Sequence, residues 1–351
     1  MKAQLVLENG RRFCGELFGC ERETVGEVVF TTGMVGYQET ITDPSFAGQF
    51  VVMTFPLIGN YGTNGEDMES ERAAMNALIV REKCDFPSNF RCEKTLDDFL
   101  KEQGVVGLCG IDTRELTVIL RSSGVMRGAI VTGEKSDAEI KKIIDSLDNS
   151  DVIMRTTAKK KYAYSKGTKY NIAFIDMGAK TNILRSLAAE NATVTVFPAN
   201  VSAEEILAEK PDLVFISNGP GDPLDAPGTV DTVRALIGKI PVCGICMGHQ
   251  IIGLALGCKT KKLKFGHHGG NHPVKDRETG RVFITSQNHN YIVSDLPEDV
   301  IETFTNVNDG TCEGIMHKTL PVQSVQFHPE AAPGPHDTRF LFSRFLDRED
   351  A

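Results

Sequence analysis

The chain reads Gly244-Ile245-Cys246-Met247-Gly248 directly after the apolar run Ile240-Pro241-Val242. The pattern is a glycine, any residue, a nucleophile, any residue and a second glycine. Between a strand and a helix, this pattern places the nucleophilic side chain on a sharp, exposed turn. The glycines keep neighbouring side chains away and tolerate backbone angles that other residues resist. We predict a helix over residues 249–257, whose N-terminal N–H groups and dipole face the thiol. This arrangement predicts that Cys246 is a reactive nucleophile.

Strand and helix signals alternate around this turn, throughout residues 170–351. A helix is predicted over 180–190, and Ser202 with Glu205 forms a capping box that begins another. Strands are predicted at 171–175, 193–197, 213–216, 240–244, 282–285 and 322–326. Alternation of this kind predicts a mostly parallel sheet with helices on both faces. In such folds the loops at the carboxyl ends of strands build the active site, and Cys246 lies at such an end.

The first half of the chain has a different pattern of predicted strands and helices. Short strands are predicted at 4–7, 27–31 and 50–55, with Asn9-Gly10 as a hairpin turn. Two helices begin with capping boxes, formed by Asp112 with Glu115 and by Ser136 with Glu139. These signals predict an N-terminal mixed α/β domain.

The domain limits follow from these changes in pattern. Residues 1–152 form the N-terminal domain, 153–169 a basic, aperiodic linker, and 170–351 the second domain. A solvated linker is the favoured interpretation of 153–169, and a strip that binds a partner is the alternative.

Composition narrows the class of protein. The chain has 351 residues, of which 41% are hydrophobic, so it is long enough for two cores. The net charge of −9 and the lack of a basic stripe argue against a nucleic-acid surface. No apolar stretch is long enough to span a membrane, and we expect a soluble, cytoplasmic protein. Nine cysteines, an odd number, do not indicate a disulfide framework.

A thiolate nucleophile needs a proton shuttle, and a histidine in that role needs a group that fixes its tautomer. His328-Pro329-Glu330, which follows the strand predicted at 322–326, supplies both. Residues two apart at a strand end point to the same side, so Glu330 can reach the His328 ring. Cys246, His328 and Glu330 are therefore the predicted catalytic triad.

Two further motifs have competing interpretations. The loop 217–223 can present N–H groups to an oxyanion, whereas a phosphate loop would need a motif that is absent. Cys243 and Cys246 form a C-x-x-C pair, for which a redox dithiol is the minor alternative. A third set of residues resembles metal ligands, but its glycines favour a shaped loop and we expect no metal; it consists of His267, His268 and His272.

These motifs resemble those of the class I glutamine amidotransferases. The residues that carry the resemblance are Gly244 to Gln250, Asn218 to Asp222 and His328 to Glu330. A closer resemblance, to the small, glutamine-hydrolysing chains of carbamoyl phosphate synthetases, rests on further motifs. They are 26–39, 42–45, 59–60, 110–114, 264–274 and 329–336.

The resemblance implies a role for each matching residue. Cys246 is the nucleophile, His328 the acid and base, and Glu330 its orienting partner. The amides of Gly219 and Met247 form the oxyanion hole. The implied glutamine ligands are Ser45, Gly221, Gln250 and Asn288, together with Asn290 and Tyr291. These last two residues stand where the family usually has Gly-Phe, and we expect them to act through their backbone.

The resemblance also implies partners. Ammonia from L-glutamine passes to a large subunit that makes carbamoyl phosphate from bicarbonate and ATP, for pyrimidine or arginine biosynthesis. ATP and magnesium belong to that subunit, and no cofactor is expected in this chain. The heterodimer can form higher oligomers.

Three alternatives stay open at this point. The chain could serve another synthase, such as one that makes anthranilate or GMP, although such partners would not require the N-terminal half. It could also be a non-catalytic scaffold or a redox dithiol module.

Overall fold

In the computed structural model, which describes residues 1–347, the chain divides between Asn149 and Ser150 into two units. The strands of the first unit are β1 (Lys2–Leu7), β2 (Arg12–Gly19), β3 (Thr24–Thr31), β4 (Gln49–Met53), β5 (Leu57–Ile58), β6 (Ala77–Ile79), β7 (Glu82–Lys83), β8 (Val106–Cys109) and β9 (Met126–Val131). Its helices are α1 (Tyr37–Thr42), α2 (Leu96–Gln103), α3 (Thr113–Ser123) and α4 (Asp137–Asp145), and a 3₁₀ helix covers Pro44–Phe46.

The first unit is built around a closed barrel with the strand order β1-β2-β8-β6-β4-β3-β9. Strands β3, β4, β6 and β8 pair in parallel, and the other neighbours pair antiparallel. Closure leaves no free edge in the barrel. The mixed α/β character expected of this half is therefore confirmed, with the sheet closed on itself.

Local signals explain the turns and helix starts of this unit. The turn at Asn9-Gly10 joins β1 to β2, and Gly10 has a φ of 85°. Both halves of the capping box at Ser136 and Glu139 are present. Asp112 accepts from the Glu115 N–H, but the Glu115 carboxylate pairs with Arg11 instead of completing the box. Arg11, in the turn between β1 and β2, thus takes the place of the reciprocal bond that local sequence predicted.

The strands of the second unit are β10 (Tyr162–Ser165), β11 (Tyr170–Asp176), β12 (Ala192–Pro198), β13 (Leu213–Ile216), β14 (Val242–Ile245), β15 (Lys259–Asp276), β16 (Val282–Ser294), β17 (Val300–Asn306), β18 (Cys312–His317) and β19 (Val322–Val325). Its helices are α5 (Val152–Thr156), α6 (Thr181–Ala189), α7 (Ala203–Ala208), α8 (Pro227–Leu236), α9 (Met247–Ala255) and α10 (Leu341–Leu346). A 3₁₀ helix covers Pro223–Asp225.

These strands form one ten-stranded sheet in the order β10-β12-β11-β13-β14-β19-β18-β17-β15-β16. The consecutive neighbours from β12 to β19 are parallel, as predicted. Helices α6, α7 and α8 connect β11 to β14, and α9 with strands β15 to β18 lies between β14 and β19. Beyond β19 the pairing is antiparallel, because β15 to β18 are joined by turns and need no crossover. One face packs against α6 and α10 through Leu187 and Phe342, and Gly248 of α9 meets Ile216 on the other.

The segment predicted to be a linker is not structureless. Residues 152–156 form α5, and β10 pairs antiparallel with β12 at the edge of the large sheet. Tyr162 and Ala163 are exposed, and lysines flank the strand. An edge strand is hydrogen-bonded on one side only, and little of it is buried. Its sequence can therefore be exposed and rich in lysine, which is the pattern that predicts a linker.

Within the described residues, every helix is too short or too polar to cross a bilayer.

Candidate active site

Three neighbouring parallel strands bring the predicted catalytic residues together. Ile216 of β13 pairs with Gly244 of β14, which in turn pairs with Ser324 of β19. The loop 217–223, the turn at Cys246 and the segment that carries His328 therefore leave the sheet at the same edge. This convergence follows from parallel pairing, since the carboxyl ends of all three strands point the same way.

Cys246 itself occupies the strained turn. Its φ of 55° and ψ of −103° lie in a region that non-glycine residues rarely adopt. The Cys246 N–H donates to the Val325 carbonyl at 2.9 Å, and its Sγ lies 3.5 Å from the Asn288 carbonyl oxygen. The residue is only 2% exposed, so the prediction of an exposed side chain is wrong. Contact with Asn288 of β16, which lies far from β14 in the order of the sheet, accounts for part of this burial.

The flanking glycines are needed for space and not for their backbone angles. Neither Gly244 nor Gly248 has a positive φ. A Cβ on Gly248 would lie 2.3 Å from the Ile216 carbonyl oxygen, and one on Gly244 would lie 2.9 Å from the Gly248 carbonyl carbon. These glycines therefore exclude neighbouring side chains, as predicted, but the unusual backbone angles predicted for them belong to Cys246.

His328 and Glu330 form a buried pair. His328 Nδ1 lies 2.6 Å from Glu330 Oε1, and the two side chains are 1% and 0% exposed. The His328 N–H donates to the Ser286 carbonyl at 2.9 Å, which fixes the backbone. Burial lowers the pKa of His328, but the charges of Glu330 and Cys246 outweigh it and raise the pKa to about 10. At neutral pH this imidazole is therefore a cation beside Cys246.

Lys180 is a member of this site that the sequence analysis missed. Its Nζ lies 3.1 Å from Glu330 Oε1 and also donates to the Ala331 carbonyl, while its backbone N–H donates to Asn218 Oδ1 at 2.9 Å. Burial raises the pKa of Glu330, but Lys180 first and His328 second lower it to about 2. Lys180 precedes Glu330 by 150 residues, so no local pattern could have indicated the pair.

The glycine loop approaches the turn closely. The Gly248 N–H donates to the Ser217 carbonyl at 2.9 Å, which joins the loop to α9. A Cβ on Gly219 would lie 2.3 Å from the Met177 carbonyl oxygen, and Gly221 has a φ of 89°. Met247 is the first residue of α9, a position whose N–H has no acceptor inside the helix. Met247 thus follows Cys246 directly, and Gly219 lies two residues beyond the Ser217 carbonyl that contacts α9. Their role as oxyanion donors stays a prediction.

Four of the predicted glutamine ligands are joined in two groups. Gln250 Nε2 donates to the Tyr291 carbonyl at 2.9 Å and to Gln326 Oε1 at 3.1 Å. The His268 ring lies between the side chains of Asn288 and Asn290, with ring nitrogens 2.9 Å and 3.1 Å from their Oδ1 atoms. This position of His268 between two predicted ligands does not follow from the histidine-rich loop in the sequence.

Ser45 lies in the first unit, in the 3₁₀ helix Pro44–Phe46. It is buried, and its N–H donates to Asp43 Oδ1 at 2.9 Å. Its participation in a glutamine site with residues of the second unit stays a prediction.

The structure also bears on the dithiol and metal interpretations. Burial raises the pKa of Cys243 to about 12, which disfavours its thiolate and argues against redox exchange with Cys246. Ligand atoms of His267, His289 and Glu313 lie within 4.8 Å of one another, close enough to hold a metal ion. The expectation that this chain carries no metal stays a prediction.

Comparison with known proteins agrees with this geometry. Residues 5–130 match the model of the carbamoyl-phosphate synthase small chain, CPSase domain, and 173–348 match that of glutamine amidotransferase class-I. The carbamoyl phosphate synthase small chain of Clostridium perfringens is 53% identical over 346 residues, which are 99% of either chain. This chain belongs to the carbamoyl phosphate synthase small-chain family. The pyrimidine-specific small chain of Bacillus subtilis is 47% identical over 352 residues, with 99% of this chain and 96% of that one covered.

Membership of the carbamoyl phosphate synthase small-chain family confirms the resemblance drawn from sequence. It also separates the chain from amidotransferase subunits of other synthases, because residues 5–130 match a domain specific to the small chain. The second unit is its class I glutamine amidotransferase domain.

Proposed function

We propose that this small chain hydrolyses L-glutamine to glutamate and ammonia through Cys246, His328 and Glu330. The observation that carries the proposal is the buried pair of His328 Nδ1 and Glu330 Oε1, 2.6 Å apart, beside a strained cysteine at a strand end. A fixed imidazolium next to a thiolate is the arrangement that activates a cysteine for attack on an amide.

The reaction proceeds in two halves. The Cys246 thiolate attacks the side-chain amide carbon of glutamine, and the tetrahedral intermediate collapses when protonated His328 gives its proton to the departing ammonia. His328 then takes a proton from water, whose oxygen attacks the γ-glutamyl thioester and releases glutamate. Glu330 stays ionised and orients the ring, since its pKa of about 2 lies far below neutral pH.

Backbone amides stabilise the charge that develops during attack. The N–H groups of Gly219 and Met247 are the proposed donors to the oxyanion. The substrate is held by the remaining predicted ligands, which are Ser45, Gly221, Gln250, Asn288 and the backbones of Asn290 and Tyr291.

The ammonia serves a partner subunit. In this proposal a large subunit binds ATP and magnesium and makes carbamoyl phosphate from bicarbonate, for pyrimidine or arginine biosynthesis in the cytoplasm. This chain contributes neither a cofactor nor a metal. The name of the Bacillus subtilis relative as pyrimidine-specific supports the first of the two pathways.

The substitution Cys246→Ser tests the nucleophile in the purified complex. We expect glutamine-dependent carbamoyl phosphate synthesis to fall by roughly a thousandfold or more, because a serine hydroxyl is a much weaker nucleophile than a cysteine thiol near neutral pH. Synthesis from added ammonia should continue. The matched control is Cys243→Ser, which should retain glutamine-dependent activity and would also exclude a dithiol. Glutamine-dependent synthesis at the wild-type rate by Cys246→Ser would contradict the assignment.

A further inference from the structure

The segment that follows Glu330 has a strained backbone. Ala331 and Ala332, the next two residues, have φ angles of 56° and 48°. This left-handed region costs free energy for any residue with a Cβ, and such residues normally occur there singly. The segment therefore needs contacts from the surrounding structure to hold its conformation.

The peptide group between Glu330 and Ala331 is hydrogen-bonded on both sides. Its carbonyl accepts from Asn182 Nδ2 at 2.6 Å, and its N–H donates to the His328 carbonyl at 3.1 Å. With the chain after Ala331 held in place, the φ angle of Ala331 can become negative only if this peptide group rotates. Rotation would break both bonds, so the Asn182 side chain opposes relaxation of the residue that adjoins Glu330.

Ser286 of β16 holds the two ends of the segment. Its carbonyl accepts from the His328 N–H at 2.9 Å, and its Oγ donates to the Pro333 carbonyl at 2.9 Å. A Cβ on Gly334 would lie 2.8 Å from the Ser286 Cβ, so the chain after Pro333 also lies against this serine. One residue thus contacts the backbone on both sides of Glu330.

The contacts come from two elements that are distant in the chain. Asn182 lies in the first turn of α6, where its own carbonyl accepts from Ser186 Oγ at 2.7 Å. Lys180, just before α6, donates to the Ala331 carbonyl. Ser286 belongs to β16. The strained segment is therefore held between the start of a helix and a strand.

We propose that Asn182 and Ser286 are positioning residues that hold the segment 330–333, so that the Glu330 carboxylate faces the His328 ring. Both act through Glu330 and belong neither to the proposed triad nor to the predicted glutamine ligands. This inference rests on the proposed glutaminase function and adds two residues that support its geometry.

The geometry that these residues support is narrow. His328 Nδ1 and Glu330 Oε1 are 2.6 Å apart, and a displacement of about 1 Å would take this distance beyond the range of a hydrogen bond. Lys180 attracts the same carboxylate oxygen from 3.1 Å. Its long, flexible side chain places a charge, however, and does not fix the orientation of the peptide group that Asn182 holds.

Loss of this support should slow turnover without weakening substrate binding. The His328 imidazole transfers protons in both halves of the proposed reaction, so a displaced Glu330 slows the chemistry. The predicted glutamine ligands belong to other segments of the chain. The kcat for glutamine hydrolysis should therefore fall while the glutamine KM changes little.

The experiment measures steady-state glutamine hydrolysis by the full-length chain in complex with its large subunit. We expect Asn182→Ala to lower kcat about tenfold or more and Ser286→Ala about threefold or more, with KM changed by less than about twofold. Asn182→Asp replaces the donor by an acceptor that faces the Glu330 carbonyl, and should lower kcat at least as much as Asn182→Ala. Carbamoyl phosphate synthesis from added ammonia should continue in each variant, which checks that the complex is intact.

Matched controls are available in the same unit. Asn171 is partly buried, like Asn182, and its Nδ2 donates to the Lys210 carbonyl at 3.2 Å. Ser165 Oγ donates to the Ala192 carbonyl at 2.8 Å. Asn171→Ala and Ser165→Ala thus remove bonds of the same kinds from other segments, and should change kcat by less than about twofold.

A double-mutant cycle with Glu330→Gln separates positioning from a merely structural role. Glu330→Gln removes the charge that the segment presents to His328, so a further Asn182→Ala substitution should lower kcat by less than about twofold. A structural role of Asn182 that does not act through Glu330 would lower kcat by the same factor in both backgrounds.

Three outcomes would overturn the inference while the wild type hydrolyses glutamine. They are a kcat of Asn182→Ala or Ser286→Ala within about twofold of the wild type, a loss of activity that lies in KM instead of kcat, and equal effects of Asn182→Ala with and without Glu330→Gln. If the wild type itself fails to hydrolyse glutamine, the proposed function fails instead.

Discussion

Replacement of Lys180 by methionine should destabilise the second unit, because Lys180 and Glu330 form a buried ion pair. Their Nζ and Oε1 atoms are 3.1 Å apart, and the side chains are 3% and 0% exposed. The pKa of Glu330 is lowered from 4.5 to about 2, with Lys180 as the largest favourable cause against the opposing effect of burial. That difference corresponds to about 3 kcal/mol, of which we expect Lys180→Met to remove about 2 kcal/mol or more.

Urea denaturation of the full-length chain, followed by circular dichroism at several pH values, measures this cost. The lowered pKa of Glu330 stabilises the fold fully above pH 4.5, and this contribution is lost as the pH falls towards about 2. The difference between Lys180→Met and the wild type should therefore be largest near neutrality and should narrow in acid.

The matched control for Lys180→Met is Lys161→Met. Lys161 pairs with Glu209 at 2.6 Å, but the two side chains are 50% and 44% exposed, so its loss should change the unfolding free energy by less than about 1 kcal/mol. Equal effects of the two substitutions, or a difference that does not vary with pH, would refute the argument from burial.

Two further predictions concern the turn and the glutamine ligands. Gly248→Ala places a Cβ 2.3 Å from the Ile216 carbonyl oxygen, so it should lower the unfolding free energy by about 1–3 kcal/mol and reduce glutaminase activity. The control is Gly228→Ala in α8, where no atom lies within 4 Å of the new Cβ, and this substitution should be neutral or stabilising. Normal stability and activity of Gly248→Ala would contradict the packing argument. Asn290→Ala removes the Oδ1 that lies 3.1 Å from His268 and should raise the glutamine KM a few fold with little change in kcat, as measured by steady-state kinetics. An unchanged KM would show that His268 needs only Asn288.

Much of the second unit was predictable because its signals are local. The strand Leu213–Ile216 has the predicted bounds, and the Ser202 capping box has both of its bonds. The prediction over 249–257 differs from α9 (Met247–Ala255) by two residues at each end. The predicted strand 282–285 was only the beginning of β16, which runs to Ser294, because a strand within a long hairpin is extended by its partner and not by its own composition.

The sequence by itself determined the nucleophilic turn, the neighbouring His328 and Glu330, and the family to which these motifs belong. Each of these depends on residues a few positions apart, whose relation the backbone of one strand or turn fixes. Only the tertiary structure decided that Lys180 neutralises Glu330, that His268 joins Asn288 to Asn290, and that His267 lies between two carboxylates. Those contacts join residues from separate strands and loops, so the packing of the sheet, and not local sequence, brings them together.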